Sequence, residues 1–236
     1  MKRGAYLIIS TLLVVFLVVG CGSDPVVENP GAITDGEFQD GTYTAASNAN
    51  PRGYVQAEVV IEDGAIASVS LKEFTDRGQE KDAGYAYDVW HEAIQELPSR
   101  FVDANSAEID VVTEATSTSE KAMDAVSKAL ARSQGYAESF AGMFMGISEV
   151  SERGGWGIAL VTLDDQGNIT EVELKEMTAD GFKDEDYAYE EWHDAVAEMP
   201  QRFVSANSSE VDVFTGATSS SNMWMQAVED ALQKAK

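Results

Sequence analysis

The stretch YAYDVWHEAIQELPSRFVDANSAEIDVVTEATST at residues 85–118 occurs a second time, as YAYEEWHDAVAEMPQRFVSANSSEVDVFTGATSS, at residues 187–220. The two segments align without gaps and share 21 of their 34 residues. Shorter matches on both sides extend the similarity, so the sequence predicts two tandem copies of one domain, at residues 37–133 and residues 137–236. About 100 residues each is enough for an independent core. The short joint between the copies predicts that they lie close together.

Each copy begins with a strand pattern. Apolar and polar residues alternate over Tyr54–Ile61 and again over Ile66–Leu71, and Asp63-Gly64 between them is a turn signal. This pattern predicts a β-hairpin, and Trp156–Leu174 repeats it in the second copy.

Two helices are predicted after the hairpin of each copy. In the first helix, apolar residues recur at the i, i+3, i+4, i+7 spacing of one face, and Pro98 is expected to end it. A last helix is predicted at about residues 120–130 and 222–232. Strands followed by helices indicate an α+β fold, in which a small, mainly antiparallel sheet packs against helices. The apolar face consists of Ala86, Val89, Trp90, Ala93, Ile94 and Leu97.

The N-terminal residues predict export and a lipid anchor. Lys2 and Arg3 precede an apolar run at residues 6–19, which is shorter than the roughly 20 residues that a membrane span needs. Cys21, the single cysteine, follows this run directly and resembles the acylated cysteine of a bacterial lipobox. We therefore expect a signal peptide at residues 1–20, lipid attachment at Cys21 and a flexible tether at residues 21–36. The alternative is an ordinary signal peptide with a cysteine near its cleavage site.

Composition excludes several classes of function. A single cysteine permits no intrachain disulfide, CxxC pair or CxxCH haem site, and two histidines without HExxH argue against a zinc enzyme. Redox chemistry in this chain would require an organic cofactor. Removal of Lys2 and Arg3 leaves 14 basic against 41 acidic residues, a net charge of about −27. Such a surface repels nucleic acid and either favours cationic partners or serves solubility alone.

A hydroxyl-rich segment lies between the two helices of each copy. Residues 110–117 read DVVTEATS and residues 212–219 read DVFTGATS. The pattern predicts a short strand, a tight turn and then Ser and Thr side chains that cap the next helix. Backbone N–H groups at a helix start also favour a phosphate. By itself, a hydroxyl cluster in this place is most often an ordinary helix cap.

The same segment resembles the flavinylation motif of the FMN-binding domain family, D-x-x-[ST]-G-A-T before a helix. That family includes the NqrC and RnfG subunits of respiratory complexes and the PplA-like extracellular electron-transfer lipoproteins, and two copies behind a lipobox look most like the last group. The resemblance implies that FMN phosphate is esterified to Thr218 and to Thr116, with up to two FMN per chain. It implies further cofactor-binding residues around them: Asp110, Thr113, Ala115 and Ser117 in the first copy, and Asp212, Thr215, Gly216, Ala217 and Ser219 in the second.

The resemblance also implies partners and a location. An ApbE-type flavin transferase would attach the flavin, and a membrane NADH or quinol dehydrogenase would supply electrons. The chain would act as an electron carrier rather than a turnover enzyme, lipid-anchored on the extracytoplasmic face of the cell membrane. Two alternatives remain: a reductase module of a larger complex, and a non-redox surface lipoprotein that retains the fold.

The copies differ at one motif position. Glu114 stands where the motif has glycine, so a carboxylate lies beside the incoming phosphate, and strain arises if the turn requires positive φ. We therefore expect Thr116 to be loaded more slowly than Thr218.

Other repeated residues have less specific patterns. We interpret Trp90 and Trp192 as core residues rather than flavin-stacking groups, and His91 and His193 as structural or surface groups. The Arg-Phe pairs at 100–101 and 202–203 are equally consistent with framing a flavin or with packing. In the second copy alone, Met223, Trp224 and Met225 follow the motif, where they either shield a flavin or pack the terminal helix.

Overall fold

The computed structural model describes residues 37–136 and 139–236. The predicted signal peptide, Cys21 and the predicted tether lie outside the described residues. Among the described residues, no helix is long and apolar enough to cross a membrane.

Each copy folds as strands followed by two helices, as the sequence predicts. The first domain comprises β1 (Gly41–Ala46), β2 (Tyr54–Glu62), β3 (Ala65–Phe74), α1 (Asp88–Ala104) and α2 (Thr116–Ser133). The second domain comprises β4 (Gly142–Ile147), β5 (Trp156–Leu163), β6 (Ile169–Thr178), β7 (Gly181–Phe182), α3 (Glu190–Ala206) and α4 (Thr218–Ala235). The strand orders are β1-β2-β3 and β4-β5-β6-β7, with antiparallel pairing throughout. The predicted α+β class is confirmed.

The hairpin of each domain forms where strand alternation predicts it. β2 pairs with β3 and β5 pairs with β6, and both pairs carry a register shift at the same place, Val60/Ile61 and Thr162/Leu163. The strands β1 and β4, at each sheet's edge, were not assigned from the sequence, although their residues belong to the repeat.

One face of each sheet is covered by the two helices. In the first domain α2 packs on β1 and β2, and α1 packs on β3. The core between them is closed by side chains that have no solvent exposure, such as Val59 from the sheet, Leu97 and Phe101 from α1, and Val126 from α2. The second domain repeats this arrangement, with Met199 and Phe203 in the places of Leu97 and Phe101.

The prediction that Pro98 ends the first helix is wrong. Helix α1 continues through Pro98 to Ala104, and α3 continues in the same way through Pro200. Proline costs a helix one backbone hydrogen bond and a steric clash. Here the three residues after Pro98 bring Phe101 onto the same buried face as Leu97, and burial of that ring outweighs the local cost. The helix instead ends at Asn105, which adopts the left-handed conformation and whose side chain accepts the backbone N–H of Ile66 at 2.8 Å.

The two domains are in contact, as the short joint predicts. They belong to one compact unit, and a small apolar cluster joins their sheets: Ala46 and Tyr54 from the first domain with Met145, Ile158, Leu160 and Met177 from the second. The backbone N–H of Ala49 donates to the carbonyl of Met143 at 2.7 Å. The Lys234 ammonium lies 4.6 Å from the ring centre of Tyr54. The junction therefore combines apolar packing with polar contacts.

Candidate functional site

The hydroxyl-rich segment forms the predicted tight turn in both domains. Glu114 has φ 63° and Gly216 has φ 91°, so this position does require the left-handed backbone region. The phenol of Tyr87 donates to the Glu114 carbonyl at 2.9 Å, and that of Tyr189 donates to the Gly216 carbonyl at 2.8 Å. The predicted strand before the turn is absent, since residues 108–112 and 210–214 form no strand.

The hydroxyl cluster is the first turn of the helix and not its cap. Helices α2 and α4 begin at Thr116 and Thr218, the N-cap residues are Ala115 and Ala217, and no side chain caps either helix. The prediction of Ser and Thr caps is therefore wrong. The first backbone N–H groups of a helix have no intrahelical partner, so both helix starts retain free donors beside an exposed threonine hydroxyl.

A buried serine locks the turn onto the helix. Ser119 Oγ accepts the backbone N–H of Val112 at 3.0 Å and donates to the carbonyl of Ala115 at 3.0 Å. Ser221 makes the same two bonds in the second domain, at 3.0 and 2.9 Å. Three of these four bonds are buried, and together they fix the helix start that carries the threonine.

The arginine of each Arg-Phe pair positions the segment from outside. Arg100 Nη1 donates to the carbonyl of Asp110 at 2.7 Å, and Arg202 Nη1 donates to that of Asp212 at 2.6 Å. Phe101 and Phe203 are fully buried in the two cores. Of the two interpretations of the Arg-Phe pairs, burial favours core packing over contact with a flavin. The Asp110 and Asp212 side chains are exposed and line shallow depressions with these arginines. They belong to a different surface from the clefts described below.

A cleft opens beside each helix start. The first cleft, of about 650 Å³, lies between the β2–β3 sheet, the loop at residues 75–87 and the turn before α2. The second cleft, of about 490 Å³, has the same position in the second domain. From the motif, Ala115 and Ser117 line the first cleft, and Gly216, Ala217 and Ser219 line the second. Thr113 and Thr215 are exposed in the turn.

The floor of the first cleft is a buried carboxylate, Glu73, which is 2% exposed. One of its oxygens accepts Lys121 Nζ at 2.6 Å and Lys81 Nζ at 3.0 Å. The other accepts the indole N–H of Trp90 at 2.7 Å and the hydroxyl of Thr118 at 2.9 Å. The bonds come from α1, from α2 and from the loop at residues 75–87, so this carboxylate ties the sheet to both helices and to the cleft loop.

The charges of this cluster are set by burial and by each other. Burial acts to raise the pKa of the Glu73 carboxyl, but the two ammonium groups together outweigh burial and hold that pKa below its ordinary value. Burial lowers the pKa of Lys121, and the adjacent carboxylate opposes this shift. With Nζ 2.6 Å from the carboxylate oxygen, we describe Glu73 and Lys121 as an ion pair.

The second domain repeats the cluster with fewer partners. Glu176 accepts Lys183 Nζ at 2.6 Å and the indole N–H of Trp192 at 2.8 Å. Trp90 and Trp192 are both 5% exposed, which confirms their interpretation as core residues. The ring nitrogen Nε2 of His91 contacts the Tyr85 carbonyl, and that of His193 contacts the Tyr187 carbonyl, so both histidines are structural.

Sequence reasoning missed Glu73, Lys81 and Tyr87 together with their counterparts in the second copy. A signal was available, because Leu-Lys-Glu recurs at the end of the second hairpin strand in both copies. A repeated glutamate on the inward face of an amphipathic strand calls for a buried partner.

Fold and site together define a tandem α+β protein in which each domain presents a threonine hydroxyl at an uncapped helix start beside a polar cleft. The family model for the FMN-binding domain matches residues 52–131 and again residues 154–233. The chain belongs to this family, and its two FMN-binding domains provide for up to two FMN per chain.

Individual proteins that resemble this chain match less than half of it, at modest sequence identity. An uncharacterized protein of Treponema pallidum (strain Nichols) is 36% identical over 98 residues, which covers 42% of this chain and 24% of that protein. This chain thus spans about a quarter of that relative's length. A Clostridium perfringens protein of known crystal structure is 22% identical with a TM-score of 0.36, over 42% of this chain and 90% of that chain. A Clostridium thermocellum protein solved by NMR is 21% identical with a TM-score of 0.31, over 43% and 96%.

The residues present fit FMN. The helix starts offer free N–H donors to a phosphate, and both cleft volumes lie within the range of sites for small organic ligands. At Gly216 a Cβ would lie 2.9 Å from Glu191 Cγ, so any larger residue there would require the Glu191 side chain to move. Among the described residues, no group of three or more His, Cys, Asp or Glu is arranged to hold a metal ion.

Proposed function

We propose that this chain is an extracytoplasmic electron carrier in which FMN is joined through its phosphate to Thr218 and to Thr116. One observation carries the proposal. In both domains an exposed threonine is the first residue of a helix that no side chain caps, directly beside the cleft of an FMN-binding domain. A phosphate ester at this hydroxyl would place its oxygens at the free N–H groups, where the helix dipole favours negative charge.

The covalent step is a phosphoryl transfer that the chain itself does not catalyse. A bond forms between threonine Oγ and the flavin-side phosphorus of FAD, AMP leaves as the pyrophosphate bond breaks, and the hydroxyl proton is lost. An ApbE-type flavin transferase is the partner that would perform it. The exposure of Thr116 and Thr218 leaves both hydroxyls accessible to such an enzyme.

Once bound, the flavin supplies one- and two-electron redox chemistry. The chain's own residues hold the site in place. Tyr87 and Tyr189 fix the turn, Ser119 and Ser221 fix the helix start, and the buried lysines supply positive charge at the cleft floor. A covalent link prevents loss of the cofactor outside the cell, which is what an exported carrier requires. A membrane NADH or quinol dehydrogenase would be the electron donor, as in the PplA-like lipoproteins that the chain resembles.

Attachment is tested by intact mass after incubation of the full chain with a flavin transferase and FAD. We expect two covalent flavins on the wild type, one each on the Thr116→Ala and Thr218→Ala variants, and none on the double variant. The control is Thr42→Ala, which removes an exposed threonine hydroxyl of β1 outside both clefts and should load fully. Flavin on the double variant would show that another residue is modified, and its absence from the wild type would favour a non-redox surface protein.

The same time course gives the order of loading. Glu114 occupies a left-handed position that costs a non-glycine residue roughly 1 kcal/mol or more, whereas its carboxylate has a counterpart in the second domain, Glu191 beside Gly216. We expect Thr218 to be flavinylated faster than Thr116, and Glu114→Gly to reduce the difference between the two rates. Equal rates in the wild type would show that Glu114 is harmless.

The membrane location rests on Cys21 and the apolar segment before it. Two acyl chains on a lipoprotein cysteine are enough for stable anchoring. We expect Cys21→Ser to move the protein out of the membrane fraction or to leave it unprocessed, as measured by cell fractionation and immunoblotting. Processing and membrane retention identical to those of the wild type would contradict the anchor.

A further inference from the structure

The two clefts differ most in one buried charge. Lys121 in α2, 5% exposed, bonds Glu73 at 2.6 Å. The aligned position of the second domain is Met223 in α4, which is 7% exposed and lines the second cleft. The buried cluster of the first domain therefore holds two ammonium groups against one carboxylate, whereas that of the second holds one against one.

Exposed charges do not cancel this difference. Glu114 adds an exposed carboxylate at the first turn, but Glu191 adds one at the second, beside Gly216, where the first domain has Val89. Asp76 and Arg77, both at the first cleft, offset each other. Charges in water are screened far more than buried ones. The net difference at the clefts is therefore the buried ammonium of Lys121.

The clefts are also neighbours. Arg77 lines the first cleft, and its carbonyl accepts the indole N–H of Trp156 at 2.9 Å. Trp156 directly follows Gly155, which lines the second cleft. The guanidinium of Arg77 further lies 5.8 Å from the ring centre of Phe182 in the second domain. Residues at the two clefts are therefore joined by direct contacts, and a difference in reduction potential between the two sites would favour electron transfer from one to the other.

Resting on the proposed function, we propose that Lys121 makes the flavin site of the first domain the more easily reduced of the two. Reduction adds negative charge to a flavin, and nearby buried positive charge favours that change. Glu73 lines the first cleft, and Lys121 is bonded to it. In a fully loaded chain at equilibrium, the flavin of the first domain is then reduced before that of the second. The positive charge of Lys121 determines this order.

The test is a redox titration of the flavin-loaded full chain, followed by absorbance against reference dyes. The Thr218→Ala and Thr116→Ala backgrounds leave one flavin each and assign the two potentials. We expect the first site to have the higher potential and Lys121→Met to shift its reduction equilibrium at least tenfold towards the oxidised form, about 30 mV for a two-electron couple. Met223→Lys should shift the second site in the opposite direction.

Two further variants separate charge from structure. Lys121→Arg keeps the charge and should keep the potential, whereas Lys72→Met removes an exposed lysine of the same domain and should leave it unchanged. The second domain already has a methionine, Met223, at the position of Lys121, and its buried glutamate pairs with one lysine. We therefore expect the Lys121→Met variant to fold. Equal potentials at the two sites, or no larger shift for Lys121→Met than for Lys72→Met, would overturn the inference alone. Absence of covalent flavin from the wild type would overturn the proposed function and this inference with it.

Discussion

Replacement of Glu73 by alanine is expected to lower the free energy of unfolding by about 3–5 kcal/mol, because breaking a buried ion pair leaves its partner charges buried and unpaired. Here two ammonium groups, Lys81 and Lys121, lose their carboxylate, and the indole N–H of Trp90 loses its acceptor. The measurement is the shift of the urea midpoint of the flavin-free full chain, followed by tryptophan fluorescence.

The control for this variant is a glutamate–lysine pair at the surface of the same domain. Glu80 and Lys72 lie 3.2 Å apart, with side chains 46% and 60% exposed, and Glu80→Ala should cost less than about 1 kcal/mol. Glu176→Ala should fall between the two, since Glu176 holds one lysine. A Glu73→Ala shift no larger than that of Glu80→Ala would show that the buried cluster contributes little.

Acid should remove the difference between the wild type and the Glu73→Ala variant. The folded-state pKa of Glu73 lies below its ordinary value of 4.5. The stability that its ionisation contributes is therefore fully present above pH 4.5 and is lost as the pH falls through the folded-state pKa. The two unfolding midpoints should converge in this acid range.

Replacement of Trp224 by alanine is expected to cost about 3–5 kcal/mol, the range for deletion of a large buried aromatic side chain. Trp224 has no solvent exposure, and its indole N–H donates to the Lys175 carbonyl at 2.9 Å. Its ring centre lies 6.3 Å from that of Trp192, which bonds Glu176. The cavity left by Trp224→Ala would therefore extend towards the buried Glu176 cluster. The same urea titration measures the loss.

The matched comparison for Trp224 comes from its own helix. Exposed Asn222 lies two residues earlier, and Asn222→Ala should change stability by no more than about 0.5 kcal/mol. Trp224→Phe should be intermediate, because it keeps most of the volume but loses the hydrogen bond. The first domain has Ala122 at the aligned position. If Trp224→Ala were as stable as the wild type, the second domain would have to repack as the first does.

Several features of the fold could be predicted because they depend on neighbouring residues. Alternation over residues 54–71 predicts the hairpin, since side chains of a strand point to opposite faces in turn. The tight turn before α2 was predicted from its composition, and the left-handed backbone of Glu114 and Gly216 confirms the steric reason for glycine there. The edge strands β1 and β4 were missed, as was the continuation of α1 beyond Pro98, because packing decides both.

The order of the residues alone establishes that one unit occurs twice and that a turn followed by hydroxyl side chains occurs at the same place in each unit. Repeats, periodicity and turn residues can be recognised directly in the amino-acid sequence. The uncapped helix starts at Thr116 and Thr218 become apparent only in the folded protein, and so does the position of Glu73 beneath the first cleft. Two partners of Glu73, Thr118 and Lys121, are 45 and 48 residues away along the chain. A carboxylate surrounded by such distant groups is defined by the packing of a sheet against two helices, because only that packing excludes water and brings the charges together.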